Sequence, residues 1–453
     1  MINEVEPLAE IQQPGGRVRL QPRPGKMTSS KIDIPYGTRL LSLEVEPRNF
    51  VGIVTPPKVE PAPDPKAIIG YALEHPIGAS FPTLSETSKV SIVVDDATRV
   101  TPTKTLLSAI LTRLDESGVS RGQISICIAN GLHEMGDQAT VNALLGEVTA
   151  KGYRVINHDA RDKDALVYLG NSHRGTPVDV NRVIVESDVR ILTGIIEPHQ
   201  LAGYSGGVKA LVPGLSSERT ITANHSLMLD ENVRVGRIEG NPLREDLEEA
   251  ARLTHRDGQN FIVNSIVNED RNIVQVVAGD EVEAHRRGVG LSKKISSVTV
   301  AEQADVVIAS PGGYPRDINL YQSQKALAHI ERIIRPGGVA VLVAECRKGT
   351  GSKTCEEWMK RDPKPADIIH RLKSEGFNMG AHKAYLFARF MLKANVILVS
   401  NLPADVLKSM HLRTSPTLKQ AYEEALTTVG RDARVTVCPR AAATLPELIS
   451  QQC

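Results

Sequence analysis

A chain of 453 residues, 41% hydrophobic and 24% charged, is long enough for two or three globular domains, and its formal net charge of +1 leaves neither a basic footprint for nucleic acid nor an acidic tail. Aromatic residues make up only 4%, which argues against a platform for stacking bases, and no apolar run approaches the roughly 20 residues of a membrane helix. The five cysteines, Cys127, Cys346, Cys355, Cys438 and Cys453, are odd in number and form no C-x-x-C, so reduced thiols in a cytoplasmic protein fit better than a disulfide framework.

Residues 1–30 are polar, rich in Pro, Gln and Gly, and lack the apolar segment of a secretory signal, so a disordered arm is expected. Residues 31–46 alternate about a Pro-Tyr-Gly turn and predict a hairpin. Residues 56–65 read as a proline-rich connector. An apolar strand over 89–94 ends in Asp95-Asp96-Ala97-Thr98-Arg99. Thr101-Pro102 then opens a helix with Leu106, Leu107, Ile110, Leu111 and Leu114 on one face. The next strand, 124–129, ends in Asn130-Gly131-Leu132-His133. A buried strand over 189–196 runs into the densest stretch of the chain, 197–225. That stretch holds His199, Ser205-Gly206-Gly207, Lys209, Pro213-Gly214 and His225.

Beyond it, a charged helix from Asn241-Pro242 and a hairpin over 261–278 precede a polar helix at 281–288 and a linker near 290–297. A second alternating pattern follows: strands at 304–308, 339–343, 396–399 and 435–438, with a helix over 319–334 and another over 418–429. The expected architecture is α/β, with two α/β domains of mostly parallel sheets and the active site in the cleft between them. The first domain spans 31–295 and the second 296–434, with 435–453 as a strand and tail returning to the first.

Three strands thus end in polar groups: Asp96 with Arg99, then His133, then His199. In open α/β sheets that edge is where ligands bind. His133 and His199 can act as an acid/base pair, or each can hold a carbonyl within a loop. Lys209 can meet a phosphate or act as a nucleophile, or be a surface lysine after a flexible turn. The spacing of neither a P-loop nor a dinucleotide fingerprint is present. His225 is a lone candidate metal ligand, so a metal there would draw most of its ligands from something other than side chains. Arg99 can clamp a carboxylate or pair with Asp95 or Asp96. Tyr321, Gln322 and Lys325 share a helix face behind a Gly-rich loop that aims the helix N-terminus at an anion, or form a solvated face.

D-D-A-T-R (Asp95 to Arg99), A-N-G-L-H (Ala129 to His133), the block E-P-H…S-G-G-V-K…P-G…N-H and Y-Q-S-Q-K (Tyr321 to Lys325) together resemble the lactate racemase family, enzymes built on a nickel-pincer nucleotide. The resemblance covers most of the chain from about residue 32. It implies that Lys209 tethers the cofactor covalently, that His225 ligates the nickel, and that Asp96, Ser205, Gly206 and Gly207 lie around the cofactor. It also implies that His133 and His199 are the acid/base residues, and that Arg99, Tyr321, Gln322 and Lys325 hold the substrate. The implied activity is racemisation or epimerisation of a small 2-hydroxy acid, lactate or a relative, by reversible hydride transfer. Its partners would be that acid and the enzymes that make the cofactor, with no nucleic acid or membrane. A lyase or hydratase on a related acid, or a non-catalytic anion binder, are the alternatives. The chain departs from the family pattern at Glu134 after His133, and at Val100-Thr101 after Arg99. The family's pocket tryptophan does not align with Trp358; Tyr385 is nearest by offset.

Overall fold

The computed structural model describes residues 30–449. The expected arm, Ser30 excepted, and Cys453 lie outside the described residues. The chain divides into two compact units. One is built from the residues up to Pro57, Lys294–Leu372 and the residues from Gly380; the other from Lys58–Lys293 and Lys373–Met379.

The hairpin forms where the alternation places it, as β1 (Ser30–Tyr36) and β2 (Arg39–Val45). Its apolar face, Ile32, Ile34, Tyr36, Leu43 and Val45, is buried. A short strand, β3 (Phe50–Ile53), follows.

The second unit contains β4 (Val90–Asp95), β5 (Ile124–Ala129) and β6 (Arg154–Asn157), then a hairpin of β7 (Leu166–Asn171) and β8 (Pro177–Asn181). Next come β9 (Val189–Ile195), the two-residue pair β10 (Pro198–His199) and β11 (Gly203–Tyr204), and β12 (Gln259–Val267) with β13 (Ile273–Gly279). Six of these form one sheet in the order β13-β12-β9-β4-β5-β6, parallel except for β13 against β12. β9 is buried along its whole length, which is why it reads as an unbroken apolar run rather than an alternation. The helix Thr103–Glu116 carries the chain from β4 to β5 and buries Leu106, Leu107, Ile110, Leu111 and Leu114. From β4 the chain moves outward through β5 to β6, then returns to the other flank of β4 as β9. The strand order therefore reverses at β4, and such a reversal opens a crevice at the carboxyl ends of β4 and β9.

The remaining strands are β14 (Ser297–Val300), β15 (Ala304–Ala309), β16 (Ile334–Val343), β17 (Asn395–Val399), β18 (Arg413–Thr414), β19 (Val435–Cys438) and β20 (Leu445–Leu448). A second parallel sheet runs β18-β17-β16-β15-β19-β3, and β14 pairs with β20. This sheet reverses at β15. Two boundaries differ from the expectation. β3 hydrogen-bonds to β19, so residues 30–57 belong with this unit rather than with a domain beginning at 31. Residues 435–449 also stay here instead of returning to the first domain. The reason is backbone pairing: β19 would otherwise present an open edge, and β3 closes it. Two local readings also change. The expected linker near 290–297 is the end of a continuous helix, Glu283–Ser296. The helix expected over 319–334 is two short ones, Leu320–Ser323 and Lys325–Ile330, because Ile334 already pairs with Ala304 in the sheet. No helix among the described residues is long and apolar enough to cross a membrane.

Ile92, on central β4, is fully buried in the first sheet's core. Ile92→Ala is expected to destabilise its unit by about 2–5 kcal/mol, measured by denaturant unfolding.

Candidate active site

The carboxyl ends of β9, β4 and β5 are adjacent in the first sheet, and each delivers one polar group. After β4 comes Asp96, which is buried, with Oδ2 2.8 Å from Nδ1 of His133 and Oδ1 accepting from Oγ1 of Thr98 at 2.9 Å. Burial pushes the Asp96 carboxyl up, but the His133 contact, with Arg99 and Thr98, outweighs it and holds the group below its ordinary value of 3.8. An ionised carboxylate only accepts, so Nδ1 of His133 carries the hydrogen of this contact. Arg99 acts on both Asp95 and Asp96. Asp95 receives the Thr101 hydroxyl at 2.5 Å. Burial raises its pKa, against the pull of Arg99, Thr101 and Lys209.

His133 sits on a loop fixed at both ends. Its own N–H donates to the Asn130 carbonyl at 2.9 Å, and the Gly131 N–H to the Gly214 carbonyl at 2.9 Å. A Cβ on Gly214 would stand 2.2 Å from the Ala210 carbonyl oxygen and 2.8 Å from the Ala129 side chain. The Pro213-Gly214 turn is therefore pressed onto the end of β5. It brings the Lys209 segment beside the His133 loop.

Beyond β9, Ser205 spends its hydroxyl inside the loop. It donates to the Ile195 carbonyl at 2.6 Å and accepts from the Glu197 N–H at 3.0 Å. Gly206 and Gly207 have φ of 76° and 62°. A Cβ at either would meet protein rather than open space: Asn264 and Ile196 at 2.7 Å, or Arg244 and His285 at 2.9 Å. These glycines thus serve a tightly seated loop. The Gly207 N–H donates to Oδ1 of Asn264 on β12 at 2.6 Å.

Beneath this loop lies a network that sequence patterns did not reveal. Arg244 is fully buried. Its Nε donates to Glu248 at 2.7 Å and one terminal nitrogen donates to Nδ1 of His285 at 2.9 Å. His285 in turn donates from Nε2 to the Ser205 carbonyl at 2.8 Å. Burial and the Arg244 charge push His285 well below its usual value, so it stays neutral. Arg286 completes the Glu248 carboxylate with contacts of 2.7 and 3.0 Å. The signal available in sequence was only the i, i+4 spacing of Arg244 and Glu248.

Lys209 lies on the 3-10 turn Gly207–Ala210 and is half-buried. Its charge acts on Asp95, His225 and His285. His225 lies on the helix Glu218–Ser226, whose N-cap Ser217 accepts from the Thr220 N–H. The Phe377 ring meets it edge-on at 5.7 Å. Burial and the Lys209 charge push His225 down to about 4, against a weak pull from the Ile221 carbonyl. Its Nδ1 is buried and makes no hydrogen bond among the described residues. The contrast with His158 is instructive: there Nε2 meets the Ser216 carbonyl at 3.0 Å and Nδ1 meets Asn181 at 3.2 Å. A neutral imidazole not fully spent inside the protein suits a metal. Among the described residues no group of three His, Cys, Asp or Glu could hold one, so most ligands would come with a cofactor. The residues present fit a tethered metal group of that kind.

His199, on β10, accepts the N–H groups of Leu201 and Ala202 at Nδ1. Tyr321, Gln322 and Lys325 belong to the other unit, beyond β15, where Asn319 caps the helix by accepting the Gln322 N–H at 2.9 Å. Two residues there escaped sequence reasoning. The Tyr321 hydroxyl lies 3.3 Å from Nε2 of His382. The buried Lys383 ammonium sits 4.6 Å from the Tyr321 ring centre and 3.1 Å from Oε1 of Gln324. Tyr385 is buried on the same helix, Ala381–Lys393, and Trp358 stacks under Arg371 at 3.9 Å.

Family models for the lactate racemase N-terminal and C-terminal domains match residues 36–236 and 299–445. The lactate racemase of Thermoanaerobacterium thermosaccharolyticum is 31% identical over 422 residues, covering 90% of this chain and 97% of that protein. That of Lactiplantibacillus plantarum is 30% identical over 423 residues, with the same coverage. The apoprotein structure from T. thermosaccharolyticum superposes with a TM-score of 0.86 at 29% identity, covering 92% of this chain and all of that one. A Thermotoga maritima protein, at 18% identity and a TM-score of 0.68 over 86% of this chain, shares the fold.

Two expectations follow. Glu248→Ala leaves the Arg244 charge buried without its partner and should cost about 3–5 kcal/mol in denaturant unfolding. The second concerns Asp96, whose folded pKa is depressed. Its contribution to stability is present above the ordinary carboxylate value and lost as pH falls through the folded one. The stability gap between the parent and Asp96→Asn should therefore be open at neutral pH and close below about pH 4 on acid titration.

Proposed function

The chain belongs to the lactate racemase family and is a racemase; on that premise we propose that it interconverts the two enantiomers of lactate or a closely related 2-hydroxy acid, using a nickel-pincer nucleotide. Lys209 would carry the nucleotide covalently, and His225 would ligate its nickel. When bound, the cofactor supplies a reversible acceptor for the hydrogen on C2 of the acid. The observation that carries this reading is the His225 imidazole, neutral, partly unspent and under the charge of Lys209, with no cluster among the described residues to complete a metal site.

The protein's own residues account for the rest. His133 presents a lone pair at Nε2 and can take the substrate hydroxyl proton; Asp96 then faces an imidazolium that it stabilises. Arg99 would offer its guanidinium to the substrate carboxylate. Tyr321, Gln322 and Lys325, with His382 and Lys383 beside Tyr321, are the other candidates for holding it. His199 would be the second acid/base group. Ser205, Gly206 and Gly207 hold the Lys209 turn in place from beneath. The enzymes that build the nucleotide would be obligatory partners in the cell. Cytoplasmic residence is supported by Cys127, Cys346, Cys355 and Cys438, all buried and unpaired.

Protein co-produced with the cofactor-making enzymes should gain a nucleotide-sized adduct that peptide mass spectrometry maps to Lys209, with nickel in the same sample. It should then racemise either enantiomer of lactate by chiral chromatography. Lys209→Ala should lose the adduct and activity together, whereas His225→Ala should retain the adduct and lose nickel. Adduct-loaded protein that converts neither lactate nor other 2-hydroxy acids would overturn the assignment.

A further inference from the structure

The helix Pro242–Arg252 reaches three segments of the site from its N-terminal end. At its cap, Asn241 donates from Nδ2 to the Leu201 carbonyl at 2.8 Å, in the loop after β10. Arg244 serves the loop that carries Lys209. It donates to Nδ1 of His285, which passes a hydrogen bond on to the Ser205 carbonyl at 2.8 Å, and another of its nitrogens lies 3.4 Å from the Gly206 carbonyl. Two positions on, Asp246 serves the helix that carries His225. Its Oδ2 accepts at 2.8 Å from Nδ2 of Asn224, the residue before His225, and the Leu243 carbonyl accepts from the same nitrogen at 3.1 Å. The hydroxyls of Ser172 and Thr176 complete the Asp246 carboxylate at 2.5 and 2.8 Å. Arg244, His285, Asp246 and Asn224 are all fully buried. Residues two apart on a helix lie about 200° apart around its axis and about 3 Å apart along it. Arg244 and Asp246 therefore leave opposite faces, one toward the loop at 203–210 and the other toward the helix at 218–226.

Resting on the reading above, in which Lys209 holds the nucleotide and His225 its metal, we propose that this helix sets the distance between the two attachment points, with His285 and Asn224 as its positioning residues. A lysine stem has four rotatable carbons, so a covalent bond at its tip leaves the attached group free to swing. A metal ligand on a separate segment is of use only if it waits at one place. Two anchors on independent loops would drift against each other. Tied to opposite faces of one helix, they keep a single separation. His285 fixes the turn from which Lys209 projects, through the Ser205 carbonyl. Asn224 fixes the helix from which His225 projects: its amide turns to Leu243 and Asp246, while the His225 ring faces Phe377. Each bond is buried, so breaking it leaves a polar group without water to replace the partner, which makes these contacts stiff. Neither residue needs to touch the cofactor to do this.

Two measurements on the full-length protein test this. In the first, hydrogen–deuterium exchange is followed without cofactor. His285→Ala should speed exchange over 203–210 by about tenfold and leave 218–226 as in the parent, and Asn224→Ala should do the reverse. His285→Gln can accept from Arg244 at Oε1 and donate to Ser205 from Nε2, and should restore the parent pattern. Asn224→Ala, which strands no charge, keeps the test open if His285→Ala does not fold. Variants that loosen both segments alike, or neither, overturn the proposal. In the second, each protein is incubated with nickel-pincer nucleotide from the cofactor-making enzymes. His285→Ala should form the Lys209 adduct about tenfold more slowly by mass spectrometry, yet hold nickel as the parent does once loaded. Asn224→Ala should form the adduct at the parent rate but lose nickel to a chelator about tenfold faster, as expected when the support behind a metal ligand is removed. Equal loss of both readouts in both variants would reduce the helix to a core element and overturn the proposal. If the parent gains no adduct, the cofactor assignment fails, while the exchange pattern still decides whether the helix holds the two segments separately.

Discussion

A guanidinium with no access to water lies under the loop that carries Lys209, and the loop takes its shape from it. Arg244 needs a counter-charge, which Glu248 supplies from the next turn of the same helix, and Glu248 in turn engages Arg286. The positive charge also keeps His285 neutral, which leaves that ring one donor to give to the Ser205 carbonyl. Backbone conformation at Gly206 and Gly207 is thereby set from below, while Asn264 grips the Gly207 N–H from β12. Lys209 follows two residues later. Its position is a consequence of buried electrostatics, and the flexibility usually attributed to paired glycines is absent here because both are packed against side chains.

Much of this was legible in sequence and some was not, for definite reasons. The strand ends bearing Asp96, His133 and His199 could be read because each strand is a short apolar run followed at once by polar residues. Their adjacency in the sheet then followed from the reversal of strand order about β4. Arg244, Asn264 and His285 could not be read. Their partners in the loop lie 38 to 80 residues away, and nothing in local periodicity reports a contact at that separation. The placement of β3 was missed for the same reason, since its partner is β19. The helix expected through residue 334 was a misreading of an apolar stretch that the sheet claims from Ile334 onward. Short apolar runs leave helix and strand undecided until long-range pairing selects one.

The site also shows how backbone amides can assign chemistry to side chains. His133, His199, His225, His158 and His285 all lie in one unit, yet no two have the same surroundings. His158 and His285 have both ring nitrogens engaged and serve the scaffold. His225 is kept neutral by burial and charge. His133 is paired with a carboxylate. Whether an N–H, a carbonyl or a carboxylate faces each nitrogen decides which atom of an otherwise identical imidazole holds a hydrogen and which is left to accept one.

The pairing of β3 with β19 has a consequence for synthesis. Phe50 waits for Val435 before its strand has a partner, and at ~5–20 residues per second a ribosome takes on the order of 20–80 s to supply it. The unit containing β4 to β13 is nearly continuous and can fold while that strand is still unpaired. Its last piece, the segment with Phe377 that meets His225, also emerges late. The nascent chain therefore passes through an interval in which Lys209 is in its scaffold and the wall over His225 has yet to be made.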